Sequence, residues 1–152
     1  MKEEDILKAF NLFIEETVEQ FSEIGFVVEI RVKNLKLILD DKLISDKKDL
    51  NTSNGRYYLK EGDRYYYPFS NSPGVYLFFN KNREAIYVGK SENTVGRRIW
   101  SHTGPYKNGE YSNLEFEDAE YVIVIPFTKA PFMAPSFESY LLNNYKFKYN
   151  KN

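Results

Sequence analysis

The chain of 152 residues has no cysteine and a single histidine, His102. The first absence excludes a disulfide framework and a thiolate zinc site, and the second argues against a zinc site built from histidines. No window approaches eighteen consecutive apolar residues, so no transmembrane helix is expected. The opening stretch MKEEDILKAF is acidic and amphipathic, the wrong pattern for a secretory signal. Net charge is scarce too: 21 Lys and Arg against 22 Asp and Glu leave −1, which speaks against a generic polyanion binder. The expectation is a soluble cytoplasmic protein with no membrane partner. Its length suffices for one domain with a proper core, or for a small domain plus an extension.

The near-zero average hides an asymmetry. Residues 1–50 carry eight Lys/Arg against twelve Asp/Glu, whereas residues 51–152 carry thirteen against ten. Within 81–107 six basic residues, Lys81, Arg83, Lys90, Arg97, Arg98 and Lys107, face two acidic ones. A local basic patch matters more for phosphate binding than the chain average does.

Apolar side chains at Ile6, Phe10, Phe13, Phe21 and Ile24 follow helical steps and predict an amphipathic helix over 3–24, stopped by Gly25. Val28, Ile30 and Val32 alternate with charged residues as in a half-buried strand, and Leu35, Leu37 and Leu39 suggest a second. Residues 40–56 are polar and turn-rich, the best candidate for a linker or surface loop. RYYLKEGDRYYY then reads as a short hairpin turning at Glu61-Gly62-Asp63, flanked by Tyr57, Tyr58, Tyr65, Tyr66 and Tyr67. Cross-strand aromatic pairing is the expected role of these tyrosines, with stacking on bases as the functional alternative.

From Pro73 the pattern tightens. GVYLFF (74–79) and AIYVG (85–89) are predicted to pair antiparallel across an NKNRE turn. A helix over 95–103 follows, with Thr94 or a nearby polar residue as its cap and Val95 and Ile99 on its buried side. TGPYKNGEYSN is expected to be loop, and AEYVIVIP (119–126) a buried third strand. Pro135 suits the first turn of a last helix that runs to about Tyr145. Trp100 is expected to pack rather than to stack on a base.

Side chains four apart share a helix face, so Arg98 and His102 should point the same way, with Arg97 and Ser101 as the neighbouring pair. In the first strand Val75 and Leu77 face one side of the sheet, Tyr76 and Phe78 the other. Tyr87 ends the adjacent strand beside Gly89, which permits close approach of other groups. The hairpin and helix can thus gather two phenols, a guanidinium and an imidazole at one sheet edge. Glu138 opens the last helix, and a carboxylate is the usual oxygen ligand for Mg²⁺. These parts suit phosphodiester hydrolysis, which needs a base for water, a cation for the phosphate charge and a metal for the leaving oxygen. The alternative is a tyrosine-rich hairpin with buried rings, beside a helix with a solvated arginine face.

The same residues resemble the GIY-YIG nucleases. That family is named for two tripeptides in neighbouring strands, matched here by Gly74-Val75-Tyr76 and Tyr87-Val88-Gly89. Further matches are Lys90 directly after the second tripeptide, and Arg98 with His102 four residues later. Glu138 then opens the last helix, followed by Leu141-Leu142 and Asn150. The resemblance covers about residues 73–151 and implies an α/β (α+β) fold, a three-stranded antiparallel sheet flanked by helices. An N-terminal helix plus β-hairpin extension (1–70) would precede a nuclease-like domain at 71–152.

The resemblance also implies an endonuclease that uses one divalent metal, Mg²⁺ or Mn²⁺, on duplex or branched DNA. Tyr76 would be the general base or would position the attacking water, and Tyr87 would hydrogen-bond near the water or the scissile phosphate. Arg98 would stabilise phosphate charge, with Arg97 as the other candidate in that register. Glu138 would hold the metal and Asn150 would support the site. Lys90 and His102 would help to lower the phenol's pKa from about 10, a nearby cation favouring phenolate; alternatively His102 would assist proton transfer itself. Lys90, Arg97 and Arg98 are the expected nucleic-acid contacts, joined with less support by segment 56–67. For residues 1–70 three roles stay open: packing on the catalytic unit, homodimerisation, or binding another protein. The rival to cleavage is a nucleic-acid-binding or protein-interaction module that keeps the fold without cutting.

Overall fold

The hydrophobic periodicities of the sequence resolve into a sheet that buries both faces beneath helices. The computed structural model describes residues 1–23, 52–53, 56–58, 71–104, 106–107, 110–111, 113–127 and 131–151. Helix α1 (Asp5–Glu23) comes first, then the short strands β1 (Thr52–Ser53) and β2 (Arg56–Tyr58). Strands β3 (Gly74–Phe79) and β4 (Ala85–Ser91) lead into helix α2 (Val95–Thr103). A small hairpin of β5 (Tyr106–Lys107) and β6 (Glu110–Tyr111) precedes β7 (Tyr121–Pro126) and helix α3 (Met133–Asn144).

The main sheet is antiparallel in the order β1-β2-β7-β3-β4. The three expected strands lie together as β7-β3-β4, and β2 and β1 lengthen the sheet on the β7 side. In register, Tyr76 faces Gly89 and Phe78 faces Tyr87 across to β4. Strand β3 is buried along its whole length, as a central strand covered on both faces must be. Val75, Leu77 and Phe79 enter a core with Phe10, Phe13, Phe137 and Leu141. Tyr76 and Phe78 enter the opposite one, with Val95, Ile99 and Phe116.

Helix α1 is part of the first core. Ile6, Ala9, Phe10 and Phe13 are buried, and the Phe13 and Phe137 rings lie 5.0 Å apart, Phe10 and Phe137 5.5 Å. Residues 1–3 also pair with the start of β4: the Ala85 N–H donates to the Met1 carbonyl at 2.8 Å, and the Glu3 N–H to the Arg83 carbonyl at 3.0 Å. The Glu3 carboxylate, buried in turn, accepts a hydrogen bond from the Tyr121 hydroxyl.

Several expectations change. Arg56–Tyr58 is a strand, and it pairs with Thr52–Ser53 and with Tyr121–Ile123. The turn at 61–63, the tyrosines at 65–67 and the two strands read at 28–39 lie outside the described residues. So does most of the stretch 40–56, apart from its strand residues. Tyr106–Tyr111, expected as loop, contains the β5–β6 hairpin. The residues between its strands are Asn108 and Gly109, a dipeptide favoured in two-residue hairpin loops, so the signal was local and short. Thr94 stands at the N-cap of α2 with extended backbone, yet its side chain makes no capping bond; the Val95 N–H donates to the Ser72 carbonyl at 2.9 Å instead. Trp100, expected to pack, is 45% exposed, because the buried side of α2 is taken by Val95, Ile99, His102 and Thr103. Among the described residues no helix is long and apolar enough to cross a membrane.

If α1 and the sheet share one core, truncating a ring at their junction weakens the whole fold. Phe13→Ala should cost about 3–5 kcal/mol in equilibrium urea unfolding, with a single transition retained. An unchanged midpoint, or a separate transition for α1, would contradict the shared core.

Candidate active site

The two tripeptide glycines are there for space. A side-chain carbon on Gly89 would collide with Cζ and Oη of Tyr76, because the phenol lies directly over the Gly89 α-carbon on the neighbouring strand. A side-chain carbon on Gly74 would strike the Ile125 carbonyl oxygen of β7. Strand β3 therefore sits tightly between its partners, and the Tyr76 ring is held flat to the sheet by the missing side chain opposite.

So positioned, the Tyr76 hydroxyl reaches His102 Nε2 at 2.9 Å. His102 lies in the last turn of α2, buried on the side that also carries Val95 and Ile99. Its ring packs against Tyr87 at 4.8 Å between centroids and against Phe116 at 5.2 Å. Its other nitrogen, Nδ1, is 2.6 Å from Oε2 of Glu115. Sequence reading missed Glu115: it lies thirteen residues from His102, in a polar stretch with no periodicity to mark it.

Burial pushes the Tyr76 phenol well above the usual tyrosine range, and the Tyr87 phenol adds to the rise. The positive charge of Arg98 pulls the other way, while Glu138 adds a smaller push upward. This overturns the expectation that Lys90 and His102 hold the phenol low. Desolvation outweighs the nearby guanidinium, and the Lys90 charge acts on Glu138 instead. Tyr87 is also raised, by burial and then by the charges of Glu115 and Glu138, with Arg98 opposing. Both phenols thus favour the neutral form.

Glu138, on α3, is half-buried. Burial raises its carboxyl above the ordinary range, against the opposing charges of Lys90 and Arg98. The groups that feel one another are therefore Tyr76, Tyr87, Arg98 and Glu138, with Lys90 beside Glu138. Arg98 is exposed at this cluster, its guanidinium open to an incoming phosphate. Arg97 is exposed as well. Lys90 also pairs with Glu92 at 3.3 Å near the surface. Among the described residues no three His, Asp or Glu converge into a protein cage for a metal. The donor chemistry fits a hard cation such as Mg²⁺, which keeps several waters and takes one or two carboxylates plus phosphate oxygens. Glu138 is the carboxylate that could hold it, its charge incompletely offset by its neighbours.

Asn150 stands one step back. Among the described residues strand β4 is the sheet edge, and the outward N–H and C=O of Val88 have no strand partner there. The Asn150 side chain supplies one: Oδ1 accepts from the Val88 N–H at 2.9 Å, and Nδ2 donates to the Val88 carbonyl at 3.0 Å. The Tyr149 N–H adds a bond to the Ile86 carbonyl at 3.0 Å. The amide side chain thus holds the Tyr87-Val88-Gly89 backbone in place and closes an open edge.

Comparison with known proteins covers the same part of the chain. A family model described as the GIY-YIG catalytic domain matches residues 72–150. Curated relatives include UvrABC system protein C of Pseudothermotoga lettingae, 37% identical over an 84-residue alignment that covers 51% of this chain and 14% of that protein. UvrABC system protein C of Mycoplasma mycoides subsp. mycoides is 41% identical over 56 residues, 36% of this chain and 9% of that protein. The similarity therefore touches only a small part of each relative. No solved structure gives a significant match.

Two substitutions separate the space from the clamp. Gly89→Ala should force the Tyr76 phenol off its seat and break its bond to His102, seen as a changed imidazole signal in NMR; an unmoved signal would contradict the close approach. Asn150→Ala strands two backbone groups and should cost about 1–3 kcal/mol in chemical denaturation. Unchanged stability would show that Val88 does not need the side chain.

Proposed function

Because the chain belongs to the GIY-YIG nuclease family, we propose that it is a metal-dependent endonuclease hydrolysing phosphodiester bonds in DNA. The observation that carries this reading is the convergence of Tyr76, Tyr87, Arg98 and Glu138 on one electrostatically coupled cluster inside the matched domain. Tyr76 takes the proton of the attacking water. Its own proton can leave toward His102 Nε2, which already lies within hydrogen-bond distance. The neutral Tyr87 phenol donates a hydrogen bond to the phosphate or the water. Arg98 meets the charge that builds on the phosphate oxygens, for which a planar guanidinium is well suited. Glu138 would hold Mg²⁺ or Mn²⁺, which when bound supplies Lewis-acid stabilisation of the phosphate and leaving oxygens. Lys90 and Arg97 would add contacts to the DNA backbone, and such contacts weaken with salt.

The raised Glu138 carboxyl supplies a test. A group that holds its proton more tightly in the folded chain than in the unfolded one lowers stability as pH rises through that raised value. Above that raised value the charged, half-buried Glu138 is thus a net cost that a bound cation would offset. Glu138→Gln should raise the melting midpoint of the metal-free protein. Mg²⁺ or Mn²⁺ should raise the midpoint of the wild type but not of E138Q. On supercoiled plasmid and branched DNA, the variant should lose cleavage by a factor of about 100 or more. Unchanged cleavage in E138Q would remove the metal site. Binding without any cleavage by the wild type would favour the non-cutting module instead.

A further inference from the structure

We propose that Glu115 is a positioning residue that fixes His102 with its proton on Nδ1 and its lone pair on Nε2, aimed at the Tyr76 hydroxyl. The proposal rests on the nuclease reading for its purpose, and on geometry for its content. An ionised carboxylate can only accept, so the 2.6 Å contact between Glu115 Oε2 and Nδ1 requires the proton on Nδ1. In the neutral imidazole Nε2 is then left as an acceptor, and the 2.9 Å contact must run from the Tyr76 O–H to Nε2.

The backbone holds this arrangement in place. The Glu115 N–H donates to the His102 carbonyl at 2.8 Å, and the Asn113 N–H to the Thr103 carbonyl at 3.1 Å. Residues 113–115 are thereby docked on carbonyls left free at the end of α2. The His102 ring is enclosed by Tyr76, Phe78, Tyr87 and Phe116. Its titratable and charged neighbours are Tyr76 and Tyr87 from the sheet and Glu115 from the docked segment, with Arg98 one turn back on its own helix.

The arrangement addresses a difficulty of the site, that burial disfavours a standing Tyr76 phenolate. As water attacks phosphorus, its O–H bond breaks and the proton joins Oη, while the original Oη–H proton passes to Nε2. Tyr76 ends neutral, and the imidazolium that forms is paired with Glu115. The bond from phosphorus to the leaving oxygen breaks with its electron pair, that oxygen takes a proton from solvent, and the Nε2 proton returns to Oη as Tyr76 releases its own proton to solvent. The charge pair is made between His102 and Glu115 rather than on the buried phenol.

With one histidine in the chain, imidazole NMR needs no assignment. Long-range ¹H–¹⁵N spectra of the wild type at neutral pH should show Nδ1 protonated and Nε2 bare. Glu115→Ala should move the population toward Nε2–H. Glu115→Gln, which can still accept from Nδ1, should keep the tautomer but lose the charge. In cleavage assays both variants should lose roughly ten- to a hundredfold in kcat with KM little changed. Melting midpoints near the wild-type value exclude a folding effect, as expected for a side chain 55% exposed. A protonated Nε2 in the wild type, or an E115A spectrum and rate equal to wild type, would overturn the proposal. A wild type that cleaves nothing would overturn the nuclease reading, whereas the tautomer result stands or falls on its own.

Discussion

The site depends on one close approach, the Tyr76 phenol lying over the bare α-carbon of Gly89. Any side chain opposite Tyr76 would lift the ring from the sheet and away from His102. The same approach buries the phenol fully, so it costs the site a standing phenolate while bringing the hydroxyl to an acceptor nitrogen. Position and reactivity come from the same contact, and the spacing of the two tripeptides fixes both.

Around that contact the chain invests in holding a sheet edge. Strand β4 carries Tyr87, Gly89 and Lys90 but, among the described residues, has a strand neighbour on one side only. Its free side is covered by short pieces from the two ends of the described chain, residues 1–3 near Ala85 and residues 149–150 near Ile86 and Val88. Helix α1 presses into the same core as α3, the helix that presents Glu138. On the other face Phe116 stacks on Tyr87 and backs His102, so the segment that delivers Glu115 also closes the second core.

Much of this was legible in the sequence because it followed short-range rules. The alternation in GVYLFF separated Tyr76 from Val75, and the step of four from Arg98 placed His102 on the side of α2 where it meets Tyr76. Long-range pairing was harder to read. Nothing local in Arg56–Tyr58 says that it would add to β7, and nothing local in Glu115 says that it would meet His102. The direction of the Tyr76 shift was misread for a related reason: counting nearby cations leaves out desolvation, which depends on what the fold packs above the ring. Trp100 was misread because its hydrophobicity was weighed without its angular place on α2, which lies off the buried arc.

The most direct test of the account is single-turnover cleavage of DNA in Mg²⁺ or Mn²⁺ by Tyr76→Phe beside the wild type. Phenylalanine keeps the ring over Gly89 and removes only the oxygen between water and His102. The account predicts a folded protein that still binds DNA and cleaves it slower by about 100-fold or more. Cleavage at the wild-type rate would contradict it.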